Sequence, residues 1–303
     1  MEQEPIYIGG LAHSGKTLLR RMLSAQPNLV ISRKTKMWDR FYNQFGDLSR
    51  PQNFERCVAA MLQNKQVQSL APDEARIRAE FWQGVPSYAR LFALFQAHHA
   101  ERLGKTRWGV QLGFAERLAD PIFAAFPQAK MIHMIRDPRD RNTAVKSVTQ
   151  HRRGKTGWST ACWLYSVGLA WRNQKRYPNN YLVVRYESLI AQPEETLRQI
   201  CAFLGESFVP EMVAAMDGVD TAVSPQIPSL TKQEIAFTQS VARRYMLAFG
   251  YHPIVPQLSL RDWVQFYLVD WPANWATLVF WSVFKARSIG KYVSRRRRQS
   301  RTL

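Results

Sequence analysis

The chain alternates short apolar runs with amphipathic helical patterns. Ile6–Ile8 forms the first apolar run, and a glycine-rich stretch follows it. Beyond this stretch, apolar residues recur at the spacing of one helical face, at Leu18, Leu19, Met22 and Leu23. Strands that alternate with helices are typical of a parallel sheet, whose ligands bind at the carboxyl ends of the strands. The pattern therefore predicts an α/β fold with a parallel sheet flanked by helices.

A second strand–helix frame lies in the middle of the chain. Met131–Ile135 is an apolar run typical of a buried strand, and Arg136 follows it directly. Asp137 and Pro138 then supply an N-cap and a first-turn proline for the next helix. Within the strand pattern, His133 is expected to be a core histidine and not a catalytic one, because an interior strand position faces neighbouring elements.

A third frame begins with the strand pattern Tyr181–Glu187. The next helix begins at Pro193, and Gly205 occupies its C-cap position. Between the first two frames, residues 37–102 are mainly helical in pattern and rich in aromatic side chains. The two adjacent histidines at 98–99 in that segment are expected at the surface.

The glycine-rich stretch matches a phosphate-binding pattern in full. Gly10, Gly15, Lys16 and Thr17 occupy the fixed positions of G-x4-G-K-[ST], between a strand pattern and a helix pattern. Glycines let backbone N–H groups approach phosphate oxygens, and both the helix N-terminus and Lys16 add positive charge. The chain is therefore predicted to bind a nucleotide through a P-loop.

The ends of the other strands argue against a metal-dependent nucleotide site. A kinase or NTPase needs an apolar strand that ends in a Mg²⁺-binding Asp, but the strand patterns here end at Arg136 and Arg185. Two cationic strand ends suit a nucleotide with phosphates at both ends. A P-loop ATP-dependent small-molecule kinase or NTPase stays the alternative, supported by the G-x4-G-K-T pattern alone.

Composition adds a preference for anionic partners. The 42 Lys and Arg residues exceed the 23 Asp and Glu residues, which gives a formal net charge of +19. The three cysteines, Cys57, Cys162 and Cys201, fit neither a disulfide framework nor a metal spacing, and no histidine cluster indicates a metal site. Met1–Pro5 lacks the features of a signal peptide, so a cytoplasmic location is expected.

Three segments together resemble the family of PAPS-dependent sulfotransferases, where PAPS is 3′-phosphoadenosine-5′-phosphosulfate. Gly10–Arg20 resembles the loop that binds the 5′-phosphosulfate, and Ile132–Asp140 resembles the motif that binds the 3′-phosphate. Val184–Glu187 resembles the segment whose tyrosine contacts the adenine. The resemblance covers roughly residues 5–250 and is strongest to the tyrosylprotein and bacterial carbohydrate branches. It implies transfer of a sulfuryl group from PAPS to a hydroxyl or amine, without a metal ion.

The resemblance also implies a role for each matching residue. Arg136 would bind the 3′-phosphate, and Tyr186 would lie beside the adenine; the product nucleotide would be 3′,5′-ADP. The 5′-phosphosulfate would lie against Gly10, His13, Ser14, Gly15, Lys16 and Thr17. Such a reaction needs mainly positioning and stabilisation of the charge that develops on the leaving phosphate.

The sequence departs from the family pattern in the residues expected to act in catalysis. His13 stands where the family has Lys or Arg, and Lys16 stands where it has Thr. Lys16, with His13 nearby, is therefore the predicted catalytic cation. The hydroxyl expected eight residues after Arg136 falls on Ala144, so its predicted replacements are Thr143 and Ser147.

No catalytic base is evident in the sequence. The glutamate of the tyrosylprotein branch falls near Lys34, and a lysine that some members carry is replaced by Gln111. Asp39 is one candidate for the base. A third hypothesis therefore stays open, that the chain is a non-catalytic nucleotide-binding or membrane-adaptor protein.

Residues 256–303 form a predicted C-terminal helical extension, separate from a sulfotransferase-like domain at 1–255. The charge-free run Trp271–Phe284 has 14 residues, fewer than the ~20 needed to span a bilayer, and a basic run follows it. Four tryptophans lie in the extension, at 263, 271, 275 and 281. This pattern predicts either an interfacial anchor on an anionic membrane, through 263–303, or a helix packed on the domain before a disordered basic tail.

The expected acceptor is a small molecule, a carbohydrate or a peptide. Nucleic acid is not an expected partner, because no basic stripe with interleaved aromatic residues occurs before the tail.

Overall fold

The computed structural model describes residues 4–148, 154–216 and 230–283. Within these residues, five strands form one sheet in which all the neighbours are parallel, in the order β2-β3-β1-β4-β5. The strands are β1 Ile6–Gly10, β2 Leu29–Ser32, β3 Arg107–Gln111, β4 Lys130–Ile135 and β5 Tyr181–Arg185. The predicted α/β class with a parallel sheet is confirmed.

Strand β1 lies at the centre of the sheet. It pairs with β3 through Ile8 and Gln111, and with β4 through Gly10 and Met134. All five of its residues are buried. Helices cover both faces of a parallel sheet, so a central strand is apolar along its length and does not alternate with polar residues.

The two faces of β1 contribute to different hydrophobic clusters. Tyr7 belongs to a cluster that includes Trp38 and many side chains of residues 37–102. Ile6 and Ile8 belong to a second cluster on the opposite side of the strand. Successive side chains of a strand point to opposite faces, and each fully buried large side chain contributes about 1.5–3 kcal/mol to folding. Both faces of the sheet are therefore held by burial.

Helices connect the strands, beginning with α1 at Lys16–Ser24 directly after the glycine-rich loop. Residues 37–102 contain a π-helical turn, Met37–Phe41, followed by α2 Pro51–Leu62, α3 Lys65–Gln68, α4 Glu74–Phe81 and α5 Tyr88–Arg102. The later elements are a 3-10 turn at Ala115–Leu118, α6 Ala119–Ala125, α7 Pro138–Val148, α8 Lys155–Arg176, α9 Tyr186–Ala191, α10 Pro193–Leu204, α11 Glu211–Ala214, α12 Lys232–Ala248 and α13 Leu260–Gln265. A π-helical turn, Phe266–Asp270, follows α13, and residues 271–283 are helical.

Several helix ends follow the predicted capping residues. The Asp137 carboxylate accepts a hydrogen bond from the Arg139 backbone N–H at 2.8 Å, as an N-cap of α7 does. Gly205 ends α10 with φ of 71°, in the left-handed region that a glycine C-cap occupies. His98 differs from expectation, since it is buried and its Nε2 lies 2.8 Å from a Glu80 carboxylate oxygen, where α5 packs against α4.

Backbone contacts divide the chain into two compact units, which are described separately. The first comprises residues 1–135 and 169–221 and contains the whole sheet. The second comprises residues 136–168 and 222–303. The predicted boundary after residue 255 stays a prediction.

Candidate active site

The glycine-rich loop runs from the end of β1 to the start of α1. Gly10 and Gly15 both have positive φ, at 115° and 88°. A Cβ on Gly10 would lie 2.2 Å from the Met134 carbonyl oxygen, and one on Gly15 would lie 2.3 Å from the Tyr186 ring. Only glycine fits these positions without displacing a neighbour. The loop therefore brings its backbone to the N-terminus of a helix, the arrangement that binds phosphate groups.

Lys16 fixes the floor of this loop. Its Nζ donates to the carbonyl of Gly10 at 2.5 Å and to the carbonyl of Leu112 at 3.1 Å. The lysine is 8% exposed and still lines the cleft above the loop. Carbonyl groups from two neighbouring strand ends thus hold its charge at the floor of the cleft.

A cleft of about 520 Å³ lies over the loop in the first unit. Among the described residues that line it, two are lysines, Lys16 and Lys34, and none carries a carboxylate. A cleft with this balance of charge favours an anionic ligand. Its lining consists of Gly10, Ala12, His13, Gly15, Lys16, Thr17, Leu18, Lys34, Gln111, Leu112, Gly113 and Phe114.

One wall of the cleft comes from the end of β3 and the residues that follow it. Gln111 donates from Nε2 to the Thr17 hydroxyl at 3.3 Å, so the P-loop threonine is linked to the next strand. Lys34 approaches the same wall, because a Cβ on Gly113 would lie 2.7 Å from its Nζ. The structure thus brings Lys34 and Gln111 to the cleft that holds Lys16.

The fully buried carboxylate of Glu116 supports the loop. The sequence patterns did not indicate this residue. Glu116 is 0% exposed, and its Oε2 accepts a hydrogen bond from the Gly10 backbone N–H at 3.0 Å. Its own carbonyl accepts from Asn173 at 2.7 Å. A buried carboxylate is energetically costly unless it is hydrogen-bonded and close to positive charge. The hydrogen bond from Gly10 is therefore costly to break, and it holds the backbone at the start of the loop.

His133 lies beside Glu116 in the interior. Its Nε2 is 3.6 Å from Glu116 Oε1, and its Nδ1 is 2.7 Å from the Tyr181 hydroxyl. Burial lowers the pKa of His133, Glu116 opposes this shift, and the Lys16 charge adds to it. Burial also raises the pKa of Tyr181. The expectation of a core histidine is correct: His133 is 0% exposed and supports the site from within the sheet.

Comparison with known proteins identifies the family. A family model described as "Sulfotransferase family" matches residues 5–210. The chain belongs to the sulfotransferase family. The predicted recognition is confirmed at this level, and the match covers the P-loop, the whole sheet and the Arg136 segment.

Individual relatives of the chain within this family are distant. The chain is 24% identical over 211 residues to a protein-tyrosine sulfotransferase of Drosophila melanogaster, which covers 67% of this chain and 38% of the relative. The chain thus spans about two fifths of the length of that curated relative.

Two solved structures share the fold. A sulfotransferase domain from the olefin synthase of Synechococcus PCC 7002 is 20% identical, with a TM-score of 0.51 over 87% of this chain and 94% of that chain. A sulfotransferase domain from the curacin biosynthetic pathway is 16% identical, with a TM-score of 0.52 over 83% and 99%.

The first unit brings Tyr186 to the predicted phosphosulfate loop. Tyr186 is the first residue of α9, directly after β5, and its ring packs against Gly15. The predicted loop residues Gly10, His13, Gly15, Lys16 and Thr17 all line the cleft, whereas Ser14 is buried and donates to the Leu11 carbonyl at 2.8 Å. His13 takes a positive φ of 65° within the loop.

The predicted 3′-phosphate residues lie in the second unit. The carbonyl of Arg136 accepts a hydrogen bond from the Trp163 indole at 2.9 Å. The Thr143 hydroxyl donates to the Arg139 carbonyl one turn back in α7, at 3.0 Å. Ser147 lies in α7, but its side chain is outside the described part of the structure.

The candidate base Asp39 forms an ion pair in the first unit. Its Oδ1 accepts a hydrogen bond from Arg117 Nη2 at 2.7 Å. It is absent from the described residues that line the cleft. Its assignment as a base stays a prediction.

Two further features concern the described residues as a whole. Across 4–148, 154–216 and 230–283, no group of three or more His, Cys, Asp or Glu residues is placed to hold a metal ion. Over the same ranges, none of the helices combines the length and the apolar character needed to cross a membrane.

Proposed function

We propose that this sulfotransferase transfers a sulfuryl group from PAPS to a hydroxyl or amine of its acceptor and releases 3′,5′-ADP. The observation that carries the proposal is the P-loop cleft of a family member, with two lysines and no carboxylate among its described lining residues. In the transfer, a bond forms between sulfur and the acceptor atom while the bond from sulfur to the 5′-phosphate oxygen breaks. Negative charge grows on the departing phosphate as that bond breaks.

The residues of the cleft fit the phosphosulfate end of PAPS. Gly10 and Gly15 leave backbone space that a side chain would fill, and α1 begins at Lys16 with its N-terminus toward the loop. Backbone N–H groups at a helix N-terminus bind anionic oxygens, and Lys16 adds a full charge at the cleft floor. Lys16 is therefore the proposed stabiliser of the leaving phosphate, since preorganised charge is worth most where charge develops.

Lys34 lies on the part of the cleft that we assign to the acceptor. It lines the wall near Gly113, at a segment where the tyrosylprotein branch carries a glutamate base. Lys34 has no carboxylate, so this place does not supply the base that the tyrosylprotein branch uses. We infer that acceptor deprotonation depends on another group or on solvent, and that the acceptor is a small molecule, a carbohydrate or a peptide with an accessible hydroxyl or amine.

A binding experiment separates this proposal from an ATP-dependent kinase. Ligand that binds only the folded chain at a hundredfold excess over Kd raises the free energy of unfolding by about 2.7 kcal/mol. We expect 3′,5′-ADP to raise the melting temperature, with no effect of EDTA. A rise with Mg-ATP and none with 3′,5′-ADP would overturn the proposal in favour of the kinase.

Arg136 is the proposed ligand of the 3′-phosphate, supported by its place in the Ile132–Asp140 motif. Arg136→Ala should weaken PAPS binding by about 1.5–3 kcal/mol, the value of a hydrogen bond to a charged group. Adenosine-5′-phosphosulfate lacks the 3′-phosphate, so it should bind the variant and the natural chain equally, as measured by calorimetry. Equal losses for both ligands would show that Arg136 has a structural role only.

A further inference from the structure

The helix at residues 271–283 in the second unit presents an apolar surface to solvent. Trp275 is 37% exposed, Val279 48%, Phe280 62% and Val283 46%. Spacings of four residues place 275, 279 and 283 on one face. Neither an acidic nor a basic residue occurs between Asp270 and Lys285, so no charge interrupts the face. We call Trp275, Val279, Phe280 and Val283 the outer apolar face.

The opposite side of this helix is fixed to the second unit. Asn274 accepts a hydrogen bond from the Gly157 backbone N–H at 2.8 Å, and Thr277 donates to the Gly154 carbonyl at 2.5 Å. Leu278 and Trp281 are buried. The outer apolar face therefore belongs to a helix held in place by specific contacts, and its exposure does not come from a frayed end.

The preceding helix extends the apolar character. In α13 and the π-helical turn, Leu260 is 83% exposed, Val264 52%, Tyr267 59% and Leu268 73%. Trp263 stacks on Tyr267, with ring centroids 5.5 Å apart. Single exposed apolar residues are ordinary, but a contiguous group of this kind marks a surface that contacts a protein or a membrane.

The charge of residues 285–303, which follow the helix in the sequence, indicates what kind of partner contacts the outer apolar face. Residues 285–303 contain eight Lys and Arg residues and no Asp or Glu. Tryptophan and tyrosine favour the boundary between lipid headgroups and acyl chains, and clustered basic residues beside them favour anionic lipids. A protein groove would complement the apolar face without requiring so basic a segment directly after it.

We propose that the outer apolar face and the basic residues 285–303 bind the surface of an anionic lipid bilayer. The helix lies in the plane of the interface, with Trp275 and Phe280 among the acyl chains and the basic residues at the headgroups. This proposal does not depend on sulfuryl transfer. The sequence predicted either an interfacial anchor or a helix packed on the domain. The proposal includes both, because one side of the helix packs on the protein while the other side is exposed and can contact lipid.

Vesicle sedimentation tests the proposal with the full chain. We expect binding to phosphatidylcholine vesicles that contain phosphatidylglycerol, and at least a hundredfold weaker binding to phosphatidylcholine alone. Raising the salt from about 0.1 M to about 0.5 M should weaken binding to the anionic vesicles, because the Debye length shortens. Each basic residue near the surface contributes about a fivefold factor, so replacing Arg295–Arg298 by glutamine should weaken binding at least a hundredfold.

Variants of the outer apolar face separate lipid insertion from charge alone. The Val279→Asn/Phe280→Asn double variant adds no charge and should lose at least tenfold in vesicle affinity, whereas Val85→Asn, at an 84% exposed valine of the first unit, should lose none. Circular dichroism melting checks that each variant is folded. Unchanged vesicle binding by a folded double variant overturns the proposal.

Other partners give distinct outcomes. A dimer in sedimentation equilibrium that the double variant dissociates, together with no vesicle binding, would assign the face to a second copy of the chain. Binding of RNA or DNA without binding of anionic vesicles would assign the basic residues to nucleic acid. Either result overturns the proposal.

Discussion

Lys16 combines a structural role with a proposed catalytic role in one side chain. Its ammonium group joins the end of β1 to Leu112 after β3, and it lies at the floor of the P-loop cleft. The family pattern places the corresponding cation three residues earlier, where this chain has His13. This chain therefore has an imidazole at that place, and the ammonium group of the loop belongs to Lys16.

Lys16→Ala should lower turnover more than it lowers the affinity for PAPS. Removal of one preorganised group that stabilises developing charge costs about 10²–10³ in turnover, whereas the loop backbone still binds the ground state. Steady-state kinetics and calorimetry measure the two effects, with Lys65→Ala as the control. Turnover within about threefold of the natural chain would show that the leaving-group cation is another residue.

His133 makes the stability of the protein dependent on pH. Burial lowers its pKa below the ordinary value of 6.5, so the folded chain keeps it neutral where the unfolded chain takes up a proton. The contribution of His133 to the free energy of unfolding is therefore fully present above about pH 6.5. It decreases as the pH falls below this value, by up to about 1.4 kcal/mol per pH unit. His99 contributes in the same direction, because burial also lowers its pKa.

Urea unfolding from about pH 7.5 to about pH 5 measures this dependence. We expect His133→Gln to unfold with a smaller loss of stability over this range than the natural chain. His252→Gln, at an exposed histidine, is the control and should keep the natural pH dependence. An identical slope for all three proteins would contradict the role of His133.

At the scale of elements, the turn from β1 to α1 is fixed by backbone contact. Gly10 faces the Met134 carbonyl of the neighbouring strand, and a backbone group cannot move aside as a side chain can. The Glu116 carboxylate holds the Gly10 N–H on the same stretch. The shape of the loop therefore depends on β4 and on the residues after β3, which lie far from it in sequence.

Gly10→Ala should destabilise the first unit and abolish nucleotide binding. Gly104→Ala is the matched control, since Gly104 also has positive φ, at 67°, but a Cβ there meets nothing within 4 Å. The control should lose about 1–2 kcal/mol from backbone strain alone, and Gly10→Ala should lose more. Urea unfolding and the melting shift with 3′,5′-ADP measure both. Equal losses would show that the contact with Met134 is not limiting.

At the scale of the whole molecule, the C-terminal helix contributes to the core of the second unit. Phe266, Leu278 and Trp281 are buried together with Phe237. A Cβ on Gly157 would lie 1.9 Å from the Asn274 carbonyl oxygen, which shows how closely the helix approaches α8. The segment after Gln257 is therefore part of the fold as well as the proposed lipid surface.

Truncation after Gln257 should lower the cooperativity of unfolding and the solubility of the chain. Each large buried side chain that is lost removes about 1.5–3 kcal/mol of stabilisation. Truncation after Phe284 is the control and should preserve cooperative unfolding, because it keeps Leu278 and Trp281, the buried apolar residues among those that the structure describes in this helix. Denaturant unfolding followed by fluorescence and circular dichroism makes the comparison. Identical unfolding of both truncated chains would contradict the packing of this helix.

The features that depend on neighbouring residues could be predicted from the amino-acid sequence. The apolar runs gave β1, β4 and β5 because burial of consecutive side chains is local in pattern, and Asp137 and Gly205 mark helix ends because capping acts within one turn. The G-x4-G-K-T pattern located the P-loop for the same reason. Its glycines and its lysine act through the backbone of one short segment.

The distant residues that complete the site could not be predicted, because the folding of the chain brings them together. Glu116 accepts a hydrogen bond from Gly10, 106 positions away in the sequence, and Tyr186 packs against Gly15. A periodic pattern of neighbouring residues does not predict contacts between residues so far apart. His98 was wrongly expected at the surface, because its burial depends on how α5 packs against α4. The sequence likewise left two alternatives for the C-terminal helix. Packing against Gly154 and Gly157 decided which of its faces is buried and which is exposed, since burial depends on the neighbouring surface as much as on the helix itself.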